Sequence, residues 1–479
     1  MDSVAAVREY KDLPGPPGLP LLGNALQIEP ARYHRQLEDW AREFGPMYRL
    51  RLNDRRLLVV ADHEAVAAIL RERPNGFVRS RKQLAIWIEL GLPVGLFAAE
   101  GEVWARQRRM VMAGFDPAHV RHYFPAMRRV AARLVERWQM AALERQAIEL
   151  QADLMRYTVD TIAGLAFGET VDTLGEGEDV IQRHLNLIFP SLFKRILAPL
   201  PLWRMHKSRA DRQLDTAVAE VMSAVVGFIA KARERLAADP ARRAQPPNLL
   251  EAMLVAADQP DSGIDDQQVA GNVLTLLLAG EDTTANTLAW MLHLLWHNPA
   301  ALVQARQEVR TVIGATPPGE ITPEQLAALD YVEACAHETM RLKPVAPVLP
   351  LQAAADTVIA GVLVPAETVV VLVMRHDSIS AEYFAEPDRF LPERWLGGAG
   401  GHGALAHDAK RIAMPFGAGP RICPGRYLAL LEIKLAMAAL LSRFDITSVA
   451  TPDGREAQEL MAFTMQPVGL TMKLRALAH

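Results

Sequence analysis

Apolar residues recur at three-to-four spacing along most of this chain, the pattern of helices that bury one face. The spacing predicts helices over residues 103–112, 118–145, 150–167, 213–237, 266–297 and 426–443. Asp116-Pro117 and Thr322-Pro323 read as helix starts, an N-cap followed by proline in the first turn. Other stretches have a strand pattern. Residues 48–60 carry two apolar runs either side of Asn53-Asp54 and predict a hairpin. Residues 344–374 are rich in valine and broken by Gly361 and Pro365, which predicts short strands; the tail from Glu459 reads the same way. The lead-in Pro14-Gly15-Pro16-Pro17-Gly18 is expected to be extended, because it suits neither a helix nor a central strand. Residues 397–403 are glycine-rich and read as flexible. No internal repeat or long low-complexity linker divides the chain. It therefore reads as one unit over residues 1–479, mainly α with a minor β part.

Composition narrows the function classes. Lys+Arg 52 against Asp+Glu 56 gives a net charge of −4, so no global basic excess points to nucleic acid. A hydrophobic content of 50% excludes a disordered chain. The 2 cysteines exclude a disulfide framework and suit a reducing compartment. The N-terminus has no basic start followed by an apolar stretch, and no run of eighteen apolar residues follows. The longest uncharged run, 283–305, contains Asn286, two histidines, Asn298 and Pro299, which suits a buried helix. A soluble cytoplasmic protein without a membrane anchor is the expectation.

The segment 416–425 concentrates the chemistry. It is a glycine-rich loop presenting Cys423 just before a predicted helix, with Arg421 two residues upstream. Backbone N–H groups and the helix N-terminal dipole favour thiolate there. Zinc needs three or four protein ligands and an iron–sulfur cluster needs as many, but only one other cysteine exists. A single thiolate leaves heme iron, or a nucleophilic cysteine enzyme.

The pattern Phe416-x-x-Gly419-x-Arg421-x-Cys423-x-Gly425 resembles the heme-binding signature of the cytochrome P-450 family. Three further motifs agree with it in order and spacing. Glu338-Thr339-Met340-Arg341, followed by a β region and Phe390-Leu391-Pro392-Glu393-Arg394-Trp395, is similar to the family's buried Glu–Arg–Arg cluster of Glu338, Arg341 and Arg394. Ala279-Gly280-Glu281-Asp282-Thr283-Thr284 resembles its oxygen-activation site. Trp104-Ala105-Arg106-Gln107-Arg108 resembles its propionate clamp.

The resemblance implies a cytochrome P-450 fold and heme b (iron protoporphyrin IX), with Cys423 as the metal ligand. Trp104, Arg108 and Arg421 would hold the propionates, and Ala279, Phe416 and Gly425 would surround the ring. Phe416 would shield the sulfur, and the N–H groups of Gly425 and Arg426 would donate to it. Asp282 and Thr283 would deliver protons for O–O cleavage. Gly280 would let the helix backbone open, while Glu281 reads as structural. Many relatives carry a basic propionate contact near Gln352, absent here; Arg375 and His376 are the candidates to replace it, and the sequence leaves open whether either does. The pocket is expected along 84–96, 274–279, 345–349 and 462–465, with Leu84, Trp87, Ala279, Val345, Ala346, Val348 and Phe463 named. The apolar stretch 185–203 would cover its entrance. The basic run of Arg106–Arg109, Arg121, His122, Arg128 and Arg129 is either a solvated face or the dock of an acidic electron donor. Cys335 reads as a buried apolar residue and His337 as structural.

By the same resemblance, the activity is insertion of one oxygen atom of O2 into a hydrophobic small molecule of fatty-acid, terpenoid or steroid-like character. The chain leaves no room after the heme unit for a fused reductase. Electrons would come from a ferredoxin or flavodoxin with its reductase, so NAD(P)H acts only indirectly. A peroxide-driven peroxygenase and a non-catalytic heme protein that binds a hydrophobic ligand are the competing hypotheses.

Overall fold

The structure, a computed structural model, describes residues 7–115, 117–168, 173–176, 180–397 and 402–477. The Asp116 N-cap and residues 398–401 of the glycine-rich stretch lie outside the described residues.

The helical period is realised as Gly101–Gly114, Pro117–Leu143, Leu150–Ile162, Arg209–Ala238, Asp266–His297 and Arg426–Arg443. The helix Asp266–His297, hereafter the central helix, starts at a reciprocal cap in which Asp265 and Gln268 satisfy each other's backbone N–H groups. It is apolar on most sides, and Val269, Leu274, Leu288 and Trp290 are fully buried, as expected of a helix inside the core. It packs on Leu150–Ile162, on Asp330–Leu342 and on Arg426–Arg443, hereafter the cysteine helix. Thr322 caps Pro323–Ala327 as its sequence predicts, accepting from the Gln325 N–H at 3.2 Å. Among the described residues one helix, Arg209–Ala238, is long and apolar enough to cross a membrane by length and composition. Its Leu214, Ala217, Val221 and Val225 are buried in the core.

The β part lies to one side. The hairpin Met47–Leu52/Arg55–Val60 turns at Asn53, whose φ of 58° is left-handed. Arg55–Val60 pairs in parallel with Val369–Val373, which pairs antiparallel with Val348–Ala353 and then Phe77–Val78 at the edge. The proline-rich lead-in lies against the outer strand, where Arg49 N–H donates to Pro14 O at 2.9 Å. In the tail, Phe444–Ala450 pairs with Thr471–Ala476, and Glu459–Met461 forms a tight hairpin with Met465–Pro467.

Two buried ionic clusters tie these parts together. Glu338 binds Arg341 twice, at 2.7 and 2.8 Å, and also accepts from Arg394 at 3.3 Å and from Trp395 Nε1 at 2.8 Å. The remaining Arg341 donors go to the carbonyls of Ser378, Pro387 and Arg389. The expected Glu–Arg–Arg cluster is thus formed: Glu338 and Arg341 are fully buried, and Arg394 joins them from a partly buried position. The second cluster gathers four basic side chains on one carboxylate. Glu459 is held by His34, Arg35, Lys343 and Arg375, and Arg375 also binds Glu38.

Candidate active site

The cysteine loop is fixed by its own backbone. Cys423 N–H donates to Phe416 O at 3.0 Å, and Gly417 N–H donates to Met414 O at 2.8 Å. Gly419 has φ 69°, and a Cβ there would lie 2.4 Å from the Leu70 carbonyl oxygen, so only glycine lets the loop rest on the end of the helix His63–Arg71. Gly425 caps the cysteine helix. Burial raises the Cys423 thiol pKa, while the Gly425 N–H, Arg108 and Arg426 pull toward thiolate. Gly425 donates to sulfur as expected, whereas Arg426 contributes the charge of its side chain.

Arg421 turns away from the sulfur. Its guanidinium lies over the Trp104 ring at 4.8 Å and donates to Ala99 O and the Glu100 carboxylate. Two arginines not singled out in the sequence join it. Arg79 lies over the Phe97 ring at 3.9 Å and donates to Phe97 O. Arg73 is 4% exposed, and its Nε and Nη2 have no partner; Arg421 Nε has none either. Burial and the neighbouring arginines push Arg73 down to about 10 and Arg79 down to about 9. Three guanidinium groups face Glu100 alone, an excess of two positive charges. Buried, unpaired guanidinium donors are out of balance until an anion arrives. The two propionates of heme b supply that charge, so the residues present fit the group. Arg73 and Arg79 carry no periodic or motif signal, and only the fold reveals them.

The candidate substitutes for the basic contact near Gln352 are not in this cluster. Arg375 is closed off by Glu38 and Glu459, and His376 binds Asp377 at 2.8 Å. Both are already satisfied by acids, and the basic side chains that stand beside Arg421 are Arg73 and Arg79.

Beside the arginine cluster lies an apolar cavity of about 690 Å³, and Arg79 belongs to both. Ala279, Asp282 and Thr283 line it from one face of the central helix. Trp87, Ala346, Val348 and Phe463 line it as expected, and Phe189, Phe193 and Trp203 represent the stretch 185–203. Leu84 and Val345 do not line it. Leu84 packs into the core, and Val345 faces the tail hairpin, where its carbonyl accepts from Met465 N–H at 2.8 Å.

The central helix is continuous through Gly280, without the expected opening. A Cβ at Gly280 would sit 2.5 Å from Ile162 Cδ1, so any larger residue there would have to push the Ile162 side chain aside. The Thr283 hydroxyl donates to Ala279 O at 2.7 Å. Asp282 accepts from Asn286 Nδ2 at 2.6 Å and from the Thr464 hydroxyl. Burial raises its pKa against those two bonds. Glu281 is buried, and its carbonyl accepts from Thr158 at 2.9 Å, in keeping with a structural residue. Cys335 is fully buried, and His337 stacks on Trp395 at 5.0 Å.

Comparison with known proteins agrees with this geometry. A family model described as cytochrome P-450 matches residues 13–474. A self-sufficient cytochrome P-450 monooxygenase of Oidiodendron maius is 29% identical over 444 residues, which cover 91% of this chain and 39% of that relative. The chain thus spans about two fifths of that protein's length. The cyclooctat-9-en-7-ol 5-monooxygenase of Streptomyces melanosporofaciens is 29% identical, covering 91% of this chain and 89% of its own. Among solved structures, a mutant cytochrome P-450 heme domain matches with a TM-score of 0.83 at 25% identity, over 97% of this chain and 98% of that one. A match of this extent, over a cysteine loop and an arginine cluster that suit heme, means that the chain belongs to the cytochrome P-450 family of heme-thiolate monooxygenases.

Proposed function

We propose that this protein inserts one oxygen atom of O2 into a hydrophobic small molecule of fatty-acid, terpenoid or steroid-like character. Electrons come from a separate ferredoxin or flavodoxin with its reductase. The heme unit acts in the cytoplasm. The observation that carries this reading is the cavity itself. Its walls are largely apolar, yet Asp282 and Thr283 face it together.

Bound heme supplies the oxygen-activating redox chemistry. The chain's own residues do the rest. Cys423 would ligate the iron, Trp104, Arg108 and Arg421 would hold the propionates with Arg73 and Arg79 beside them, and Arg108 also places positive charge near the thiolate. The apolar walls orient the substrate and exclude water. Burial raises the Asp282 carboxyl pKa, and Asp282 and the Thr283 hydroxyl stand side by side on the cavity wall as the groups that would pass protons.

The test is the absorption spectrum of the reduced protein with carbon monoxide, followed by 18O2 labelling of products from a panel of the three substrate types. A strongly red-shifted Soret band, lost in Cys423→Ser, and one labelled oxygen per product are expected. A band at the histidine or neutral-thiol position in folded protein would reject the ligand assignment. Turnover with peroxide alone, and none with electrons and O2, would favour a peroxygenase.

A further inference from the structure

We propose that the Thr464 hydroxyl positions the Asp282 carboxyl, so that the tip of the tail hairpin sets the orientation of the acid. This rests on the reading of Asp282 as a proton carrier given above.

Asp282 has one partner on each carboxyl oxygen. Asn286 serves Oδ1 and Thr464 serves Oδ2. Asn286 lies one turn along the same helix, so it moves with Asp282 and cannot fix the carboxyl against the rest of the molecule. Gln151 Nε2 donates to Asn286 Oδ1 at 3.1 Å and steadies that side. Thr464 reaches Asp282 from the hairpin, 182 positions away in sequence, and is itself buried.

The chemistry of the partner suits the task. An arginine or lysine at this position would hold Asp282 ionised. A donating hydroxyl orients the carboxyl and favours its ionised form, but less than a full positive charge would. No charged side chain is among the causes that shift Asp282; burial, Thr464 and Asn286 account for it.

The hairpin is built to place this hydroxyl. Phe463, next to Thr464, has φ 134°, a region that side chains other than glycine rarely adopt. The conformation is held from three sides. Ala462 N–H donates to Thr464 O at 3.0 Å and closes the turn, and Met465 N–H is tied to Val345 O. The Phe463 ring stacks on Phe189 at 4.5 Å and 17°. At the hairpin's base, Glu459 is fixed by its four basic partners. The bend turns two adjacent side chains to two tasks: Phe463 forms part of the cavity wall, and Thr464 reaches the acid. A substrate that presses on Phe463 therefore acts one residue from the group that orients Asp282.

The experiment uses the heme-loaded enzyme with Asp282→Asn, Thr464→Val and Thr464→Ser. Valine keeps the shape of threonine without its hydroxyl, and serine keeps the hydroxyl. The first readout is the infrared band of the Asp282 carboxyl, identified by its loss in Asp282→Asn. The band is expected to move in Thr464→Val and to return in Thr464→Ser. The second readout is the rate of O2 consumption under photoreduction by a deazaflavin, with no organic substrate added. Asp282→Asn is expected to slow it about tenfold or more, Thr464→Val severalfold, and Thr464→Ser less than twofold. A wild-type rate in Asp282→Asn would overturn the role of Asp282 itself. A slow Asp282→Asn beside a wild-type rate or an unmoved band in Thr464→Val would overturn the role of Thr464 alone. A Thr464→Ser as slow as Thr464→Val would also overturn it, since packing rather than the hydroxyl would then be the cause.

Discussion

Arg73 carries the residue-scale case for heme. An unpaired buried donor costs about 1–3 kcal/mol, and this side chain has two such nitrogens. The heme-free protein bears that penalty, and a propionate relieves it. Arg73→Met is therefore expected to raise the thermal midpoint of the heme-free protein and to weaken heme retention. Midpoints and heme-transfer rates to apomyoglobin measure the two effects; a transfer rate that stays at the wild-type value or falls would remove Arg73 from the cradle. Gly280 makes a second prediction at this scale. Alanine gains about 1 kcal/mol in helix propensity but places its Cβ against Ile162. Overpacking of this kind costs about 1–3 kcal/mol, so Gly280→Ala is expected to lower the urea midpoint. Adding Ile162→Ala should recover part of the loss. A Gly280→Ala stabilised by the full ~1 kcal/mol of helix propensity would sink the steric explanation.

At the scale of the element, the central helix brings a pH-sensitive group into the core. His293 is buried among Trp290, His297 and Lys343, and burial first, then His297 and Lys343, push its pKa down to about 4. Its folded pKa lies below the unfolded value of 6.5, so the native state binds fewer protons there. The stabilisation is complete above pH 6.5 and is lost as the pH falls toward 4. That span corresponds to about 3 kcal/mol. Urea unfolding of the heme-free protein at pH 7 and pH 4.5 should show the fall, and His293→Phe should flatten it. Parallel pH dependences in the two proteins would assign the loss to other groups.

Across the whole molecule, what could be read in the sequence was what is local. Helical period predicted the central helix and the cysteine helix to within a few residues, because each buries an apolar stripe within its own length. The Glu338–Arg341 pair was legible because three residues separate its members. Arg375 was left open because its acid partner, Glu38, lies 337 positions away. Arg73, Arg79 and Thr464 carried no signal for the same reason: what each one touches is decided by tertiary packing. Leu84 and Val345 failed on orientation, since each adjoins a residue that does face the cavity. Glu459 is the most connected of these distant meeting points. Glu459→Gln would leave buried cations around a neutral amide, and a loss of about 3–5 kcal/mol in urea unfolding is expected. An unchanged midpoint would show that the surrounding acids and water carry those cations unaided.

His34 and Glu459 stand 425 positions apart. At about 5–20 residues per second, roughly 20–85 s of synthesis separate the first member of that cluster from the carboxylate that completes it. Cys423 leaves the ribosome before Glu459 does. The growing chain therefore carries its heme ligand before it carries the carboxylate that ties down the last hairpin.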